Sequence, residues 1–328
     1  MFSLIIPIYK NEENLPRLLD EMETLSRSFI EKLSLTLELV FVVDGSPDQC
    51  FALLQNKLSD RLFSSQLILH ARNFGSFAAI RTGMQHAKGE TNGVMAADLQ
   101  EPPRLMLHFA QALQSGECDV VVGTRQSRED PFFHKLMSQA FWRLYRKLVI
   151  KDIPVGGVDV FACTRQFKDQ LLNMTEARSS LIAQIYWLGA RRREIPYKRQ
   201  KRIEGHSSWT FRKKIDYMSD SLFSFTKIPI SLMIRFGVFG TLCSLVYIFL
   251  VIISRVSGAI DTVGYATTVT LITLFGSLNL TALGIVGNYA WRAYENTKQR
   301  PLSFVQFAME FNTEPDIRQK PAGNNNNE

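Results

Sequence analysis

The stretch VMAADLQEPPRLML, residues 94–107, places polar side chains at a spacing suited to oxygen-ligand chemistry. In an extended strand every second side chain points the same way, so Ala96, Asp98 and Gln100 are expected on one face. A hard divalent cation such as Mg2+ or Mn2+ takes carboxylate and carbonyl oxygens. This row offers one carboxylate, one amide and, at Ala96, a methyl group. Other polar residues likewise follow apolar runs: Tyr9 and Glu12, Asp44, Arg72 and Asn73, and Arg125.

The runs that carry them are SLIIPIY, LELVFVVDG, QLILHAR, NGVMAAD and CDVVVGTR, apolar and β-branched as buried strands are. Helical stretches lie between them at Asn14–Lys32, Phe77–Ala87 and Arg104–Gln114. Strands alternating with helices predict an α/β fold with parallel pairing and both faces of the sheet covered. Ligands then collect at the carboxyl ends of the strands, where these polar residues stand. Five such loops on one edge favour a site over a set of solvated turns.

Across its 328 residues the chain has a formal charge of +7 and a pI near 9.2, which suits an anionic partner. Cys50, Cys118, Cys163 and Cys243 show no metal-ligand or redox spacing and read as reduced thiols. MFSLIIPIY has no basic region before its apolar run and reads as a first strand, not a signal peptide. From Phe236 to Ser254 there is no charged residue, and a second uncharged run extends from Val263 to Trp291. Each is long enough to span the roughly 30 Å apolar core of a bilayer.

The expected organisation is a globular domain at 1–210, a juxtamembrane amphipathic helix at 211–230 and a transmembrane hairpin at 231–295, with spans at about 234–254 and 264–291. A tail follows at 296–328, disordered towards GNNNNE. Arg212, Lys213, Lys214, Lys227 and Arg235 precede the hairpin, and Arg292, Lys298 and Arg300 follow it. The positive-inside rule therefore puts both termini in the cytoplasm. DPFFHKLMSQAFWRLYRKLV reads as a basic amphipathic helix suited to an interface or to packing on the domain itself.

The motifs IIPIYKNEENL, VVDGSPD, ARNFG, AADLQEPP, GTRQSR, GGVDVF and EGHSSWTFRKK, in this order, resemble glycosyltransferase family 2. Within it they are most similar to the polyprenyl-phosphate glycosyltransferases, such as dolichol-phosphate mannose synthases and bactoprenol glucosyltransferases. The resemblance runs from Ser3 to about Phe311 and implies a GT-A type nucleotide-binding sheet. It also implies an enzyme of the bacterial inner membrane that moves a sugar from a nucleotide sugar to a lipid such as undecaprenyl phosphate. By the same resemblance, Pro7, Tyr9, Glu12 and Asp44 match the pocket for base and ribose. Asp98 and Gln100 match the motif for metal and diphosphate, and Asp159 the carboxylate by the acceptor that serves as catalytic base. Arg125, Arg128 and Arg202 match basic positions near phosphates. Two departures stand out: Ala96 replaces the first Asp of Asp-x-Asp-x-Gln, and Ser208 stands where relatives often carry lysine.

Direct attack by a lipid phosphate on an α-linked donor would invert the anomeric centre, and UDP-glucose is the first expectation for that donor. N-acetylglucosamine, galactose, mannose and aminoarabinose donors stay open, as does a homo-oligomer. A processive polysaccharide synthase would carry Gln-x-x-Arg-Trp, which SQAFWRLY does not match. A non-catalytic scaffold that binds nucleotide sugar would explain Ala96 but not the retained Asp159 and arginines. A nucleic-acid partner would explain the charge, but the basic residues gather beside the apolar runs, where membrane electrostatics accounts for them better.

Overall fold

The apolar runs form strands, and in the computed structural model these assemble into one sheet. The structure describes residues 1–125, 143, 145–147, 150, 152–154, 158–176, 179–200, 219–226, 228–256 and 264–312. The strands are β1 (Phe2–Ile8), β2 (Leu37–Val43), β3 (Ser64–His70), β4 (Thr91–Val94), β5 (Val120–Arg125), β6 (Phe161–Thr164), β7 (Arg192–Tyr197) and β8 (Val305–Phe311). Their order is β7-β5-β6-β4-β1-β2-β3-β8.

Parallel pairing holds for β1 with β2 and β4, for β2 with β3, and for β5 with β7. It fails at β6, antiparallel to β4 and β5, and at β8, antiparallel to β3. The sheet is therefore mixed, with the expected parallel pairing among β1 to β4 and two reversed strands added to it. Both reversed strands escaped the sequence pattern: β6 has only four residues, FACT, and β8 lies in the supposed tail.

Helices cover both faces. On one side lie α1 (Leu15–Leu33), α2 (Cys50–Lys57) and α4 (Leu105–Gln114), which bring Leu18, Met22, Phe29, Leu54 and Phe109 into a core with Phe2, Leu4 and Phe41. Helix α1 buries Leu15, Leu18, Leu19, Met22, Leu25 and Phe29, a three-to-four-residue stripe, and ends where Ser34 turns left-handed at φ 53°. On the other side α3 (Ser76–His86), α5 (Arg165–Leu172) and α6 (Leu181–Trp187) pack Met84, Phe167 and Ile185 against Ile5, Val40 and Phe161. Each large side chain buried this way contributes roughly 1.5–3 kcal/mol.

Two long helices follow, α7 (Ile228–Val256) and α8 (Tyr265–Thr297). They present Phe236, Phe239, Phe249, Leu280 and Leu283 at 63–73% exposure. Among the fully described residues no single helix is long and apolar enough to cross a membrane; one bent pair, Ser219–Phe225 with Ile228–Gly240 at 78°, is so by length and composition. Arg292 on α8 ties the short helix down, bonding Asp220 at 2.7 Å and Ser224 at 3.2 Å.

Most of the expected helix at 130–149 and part of that at 211–230 lie outside the described residues. Tyr145, expected on an interfacial stripe, is fully buried and donates to Ser221 Oγ at 3.0 Å.

Candidate active site

Strands β1, β2, β3, β4, β5 and β7 all end at one edge of the sheet, and the reversed β6 starts from it. That reversal brings Asp159, just ahead of β6, to the same edge as Asp98 after β4 and Arg125 at the end of β5. Pro7 is half-buried within β1, opposite Val42. Tyr9 follows at 38% exposure, with the Lys10 ammonium 5.5 Å from its ring centre. Glu12 Oε2 accepts the Gln49 N–H at 2.9 Å, which ties the loop after β1 to the loop after β2.

Asp44 is buried and fully engaged by the chain itself. Its oxygens accept the Phe74 N–H at 2.9 Å and the Gly75 N–H at 2.7 Å, and Oδ1 lies 2.8 Å from His70 Nδ1. Its carboxylate thus sits at the start of α3 and holds the 72–75 loop, favourably placed for the helix dipole. Beside it Gly45 adopts φ 55°, and a Cβ there would lie 2.2 Å from the Arg72 carbonyl carbon. Only glycine lets these two loops meet. Pro7, Tyr9, Glu12 and Asp44 therefore lie on or beside the adjoining ends of β1 and β2, with Asp44 buried behind the 72–75 loop.

The Ala96–Asp98–Gln100 row does not form as the strand rule requires. β4 stops at Val94, and Leu99 takes φ 54°, in the left-handed region. Alternation is broken at Leu99, so Asp98 and Gln100 no longer share a face by strand geometry. The turn is held locally: Gln100 N–H donates to Asp98 Oδ1 at 3.3 Å, and the Gln100 carbonyl accepts the Gln200 N–H at 2.8 Å. Arg199, just beyond β7, donates to Gln100 Oε1. That amide oxygen, expected as a metal ligand, is here paired with a guanidinium.

Around this turn stand three carboxylates and two arginines. Arg125, with only 9% of its side chain exposed, pairs with Asp159, and Tyr197 donates to Asp159 Oδ2 at 3.4 Å. Arg199 Nε lies 3.6 Å from Glu101 Oε1. Glu101 is buried, and burial pushes its carboxyl up to about 7; the charges of Asp159 and Asp98 add to the rise, against Arg199 and Arg125. Tyr197 is also pushed up, by burial and then by Asp159 and Glu101. For Arg125, burial favours the neutral form, but Asp159 and Tyr197 together outweigh it and hold the guanidinium charged. Glu101 Oε2 and Arg125 Nε are buried without a hydrogen-bond partner among the described residues.

The donor set suits a hard cation in kind, being oxygen throughout with one carboxyl oxygen unpaired. It is sparse in number: among the described residues no group of three His, Cys, Asp or Glu is placed to hold a metal. The residues present therefore fit a divalent cation by the kind of their oxygens and not by their number. Arg128 and Arg202 lie outside the described residues.

Sequence reasoning missed Glu101, Tyr197 and Arg199. Glu101 adjoins Gln100 but precedes two prolines and reads as a helix lead-in. Arg199 is one of many basic residues in RRREIPYKRQKR. Only the position of β7 beside β5 distinguishes it.

Three carboxylates and two arginines are thus gathered at one sheet edge. A family model described as glycosyl transferase family 2 matches residues 3–173. A Bacillus subtilis protein named as a glycosyltransferase, CsbB, is 31% identical over 94% of this chain and 92% of its own. The undecaprenyl-phosphate 4-deoxy-4-formamido-L-arabinose transferase of Proteus mirabilis is 30% identical over 93% of this chain and 92% of its own. Among solved structures, glucosyl-3-phosphoglycerate synthase from Mycobacterium tuberculosis, bound to Mn2+, UDP and glucosyl-3-phosphoglycerate, aligns with a TM-score of 0.44 and 13% identity, over 68% of this chain and 77% of that one. With the family domain matched over more than half its length and full-length relatives at 30% identity and above, the chain is a glycosyltransferase and belongs to glycosyl transferase family 2.

Proposed function

We propose that this glycosyltransferase moves a sugar from a nucleotide sugar to a polyprenyl phosphate, undecaprenyl phosphate in the bacterial inner membrane, working from the cytoplasmic face. The observation that carries the reading is the meeting of Asp98, Glu101, Arg125, Asp159 and Arg199 at one sheet edge in a chain that also exposes two long apolar helices. At 1.5 Å per residue α7 and α8 are about 43 and 50 Å long, and they carry the uncharged stretches 236–254 and 265–291. Their basic flanks support the cytoplasmic placement.

The rim of Pro7, Tyr9 and Glu12, braced by Asp44, takes base and ribose. Arg125 and Arg199 face the phosphates, where a delocalised fork that stays charged stabilises the leaving group as charge develops. Asp98 would hold the divalent cation, which when bound would neutralise charge on the diphosphate.

The acceptor phosphate has its second ionisation near pH 6 and is largely dianionic at neutral pH. It needs little help from a base, so Asp159, clamped by Arg125 and Tyr197, acts to orient the nucleophile. In-line attack inverts the anomeric centre. UDP-glucose is the first donor to try, and the names of the relatives at about 30% identity make 4-deoxy-4-formamido-L-arabinose the second.

The test is purified protein with undecaprenyl phosphate in detergent and a panel of labelled nucleotide sugars. A labelled lipid product with one donor is expected. Hydrolysis of donors without lipid product, or transfer only to a soluble acceptor, would refute the lipid reading.

A further inference from the structure

Strand β8 returns from the far end of α8 and pairs with β3, Gln66 opposite Glu310 and Leu69 opposite Phe307. The register slips between Leu69 and His70, and the Ala71 N–H bonds the Phe304 carbonyl at 3.0 Å. At that slip a line of side-chain hydrogen bonds begins. Ser303 Oγ lies 2.7 Å from Thr82 Oγ1 on α3, and Thr82 Oγ1 lies 2.9 Å from His70 Nε2. His70 Nδ1 closes the line on Asp44 Oδ1, 2.8 Å away.

Thr82, His70 and Asp44 are all at most 2% exposed. The carboxylate only accepts, so Nδ1 carries the hydrogen. In the neutral ring Nε2 then accepts from the Thr82 hydroxyl, and the Thr82 oxygen accepts from Ser303. The links run without a gap from the returning strand to the carboxylate that holds the Phe74 and Gly75 amides. Such a line holds a single arrangement because a lost link leaves a buried polar atom unpaired.

We infer that Ser303 is a positioning residue for donor binding: through Thr82 and His70 it fixes Asp44, and with it the 72–75 loop on the nucleotide rim. The inference rests on the nucleotide-sugar reading above. It gives the segment after the long helices a part in the active site, although none of its described residues lies among the reacting groups.

The test uses the full-length protein in detergent, with Ser303→Ala, Ser303→Thr and Thr82→Val. Hydrogen exchange at the Phe74 and Gly75 amides reports the loop, and titration with UDP in the presence of Mn2+ reports the rim. Ser303→Ala and Thr82→Val should speed exchange at these two amides and weaken UDP roughly fivefold each, the effect of one buried hydrogen bond. Exchange in β1 and the KM for lipid phosphate should not move, and Ser303→Thr, which keeps the hydroxyl, should restore both readouts. Unchanged exchange at Phe74 and Gly75, or faster exchange with unchanged UDP affinity in a wild type that binds UDP, overturns the inference. Faster exchange in a protein whose wild type binds no nucleoside diphosphate removes the donor reading and the inference's functional half together, while leaving the loop coupling in place.

Discussion

Replacing Glu101 by glutamine should stabilise the protein at alkaline pH and leave it nearly unchanged in acid. Its carboxyl is pushed from 4.5 to about 7, by burial first and by Asp159 and Asp98 after it. Between those values the folded chain holds a proton that the unfolded chain has released. Stability therefore falls as pH rises through this window; the penalty is absent below about pH 4.5 and complete above about pH 7. At about 1.4 kcal/mol per pH unit, the full penalty is on the order of 3 kcal/mol. Glutamine has nearly the same shape, keeps an oxygen for Arg199 and never ionises.

For a domain of this size about 3 kcal/mol corresponds to roughly 6–12 °C in Tm. Melting curves of wild type and Glu101→Gln in detergent, from pH 5 to pH 8.5, would measure it. Chelator must be present so that no cation supplies compensating charge. The two curves should converge in acid and separate in base, with the variant higher. Parallel curves would show that Glu101 ionises freely, and the account of its burial would fail.

Asp159→Asn should lower kcat about 100-fold while leaving UDP affinity within about twofold, as loss of an orienting group on the acceptor side would; lost donor affinity would move Asp159 to the other subsite. Chelator should abolish transfer, and calorimetry should find Mn2+ weakly bound alone and tightened by UDP, with Mn2+ tightening UDP by the same factor. Ala96→Asp should strengthen Mn2+ binding without nucleotide, and full activity in chelator would leave the arginines as sole stabilisers of the leaving group. On intact cells a membrane-impermeant thiol reagent should label Ser257→Cys but not Ser127→Cys; the opposite pattern would invert the proposed orientation.

The parallel core was legible because a strand buried on both faces must be almost wholly apolar, as LELVFVV is. Strand β6 was not, since four small residues carry little periodicity, and β8 was hidden by following a long apolar helix. The position of Asp98 was legible from its place after an apolar run. Its relation to Gln100 was not, because a single left-handed residue, Leu99, cancels the alternation on which the reading depended. The pairing of Arg125 with Asp159 follows from the reversal of β6, a tertiary event that no local pattern encodes. What the sequence did not disclose about Asp44 is its burial and its hold on the Phe74 and Gly75 amides, which depend on a loop 30 residues further along.

The place of β8 also orders the events of synthesis. Strand β3 is made early, but its outer neighbour leaves the ribosome only after both long helices have been completed. At roughly 5–20 residues per second, the interval between them is more than ten seconds, during which the edge of β3 has no partner. An unpaired edge of that kind invites pairing with other chains. On the proposed membrane reading, the nascent domain waits beside the bilayer until the hairpin is inserted and its last strand returns.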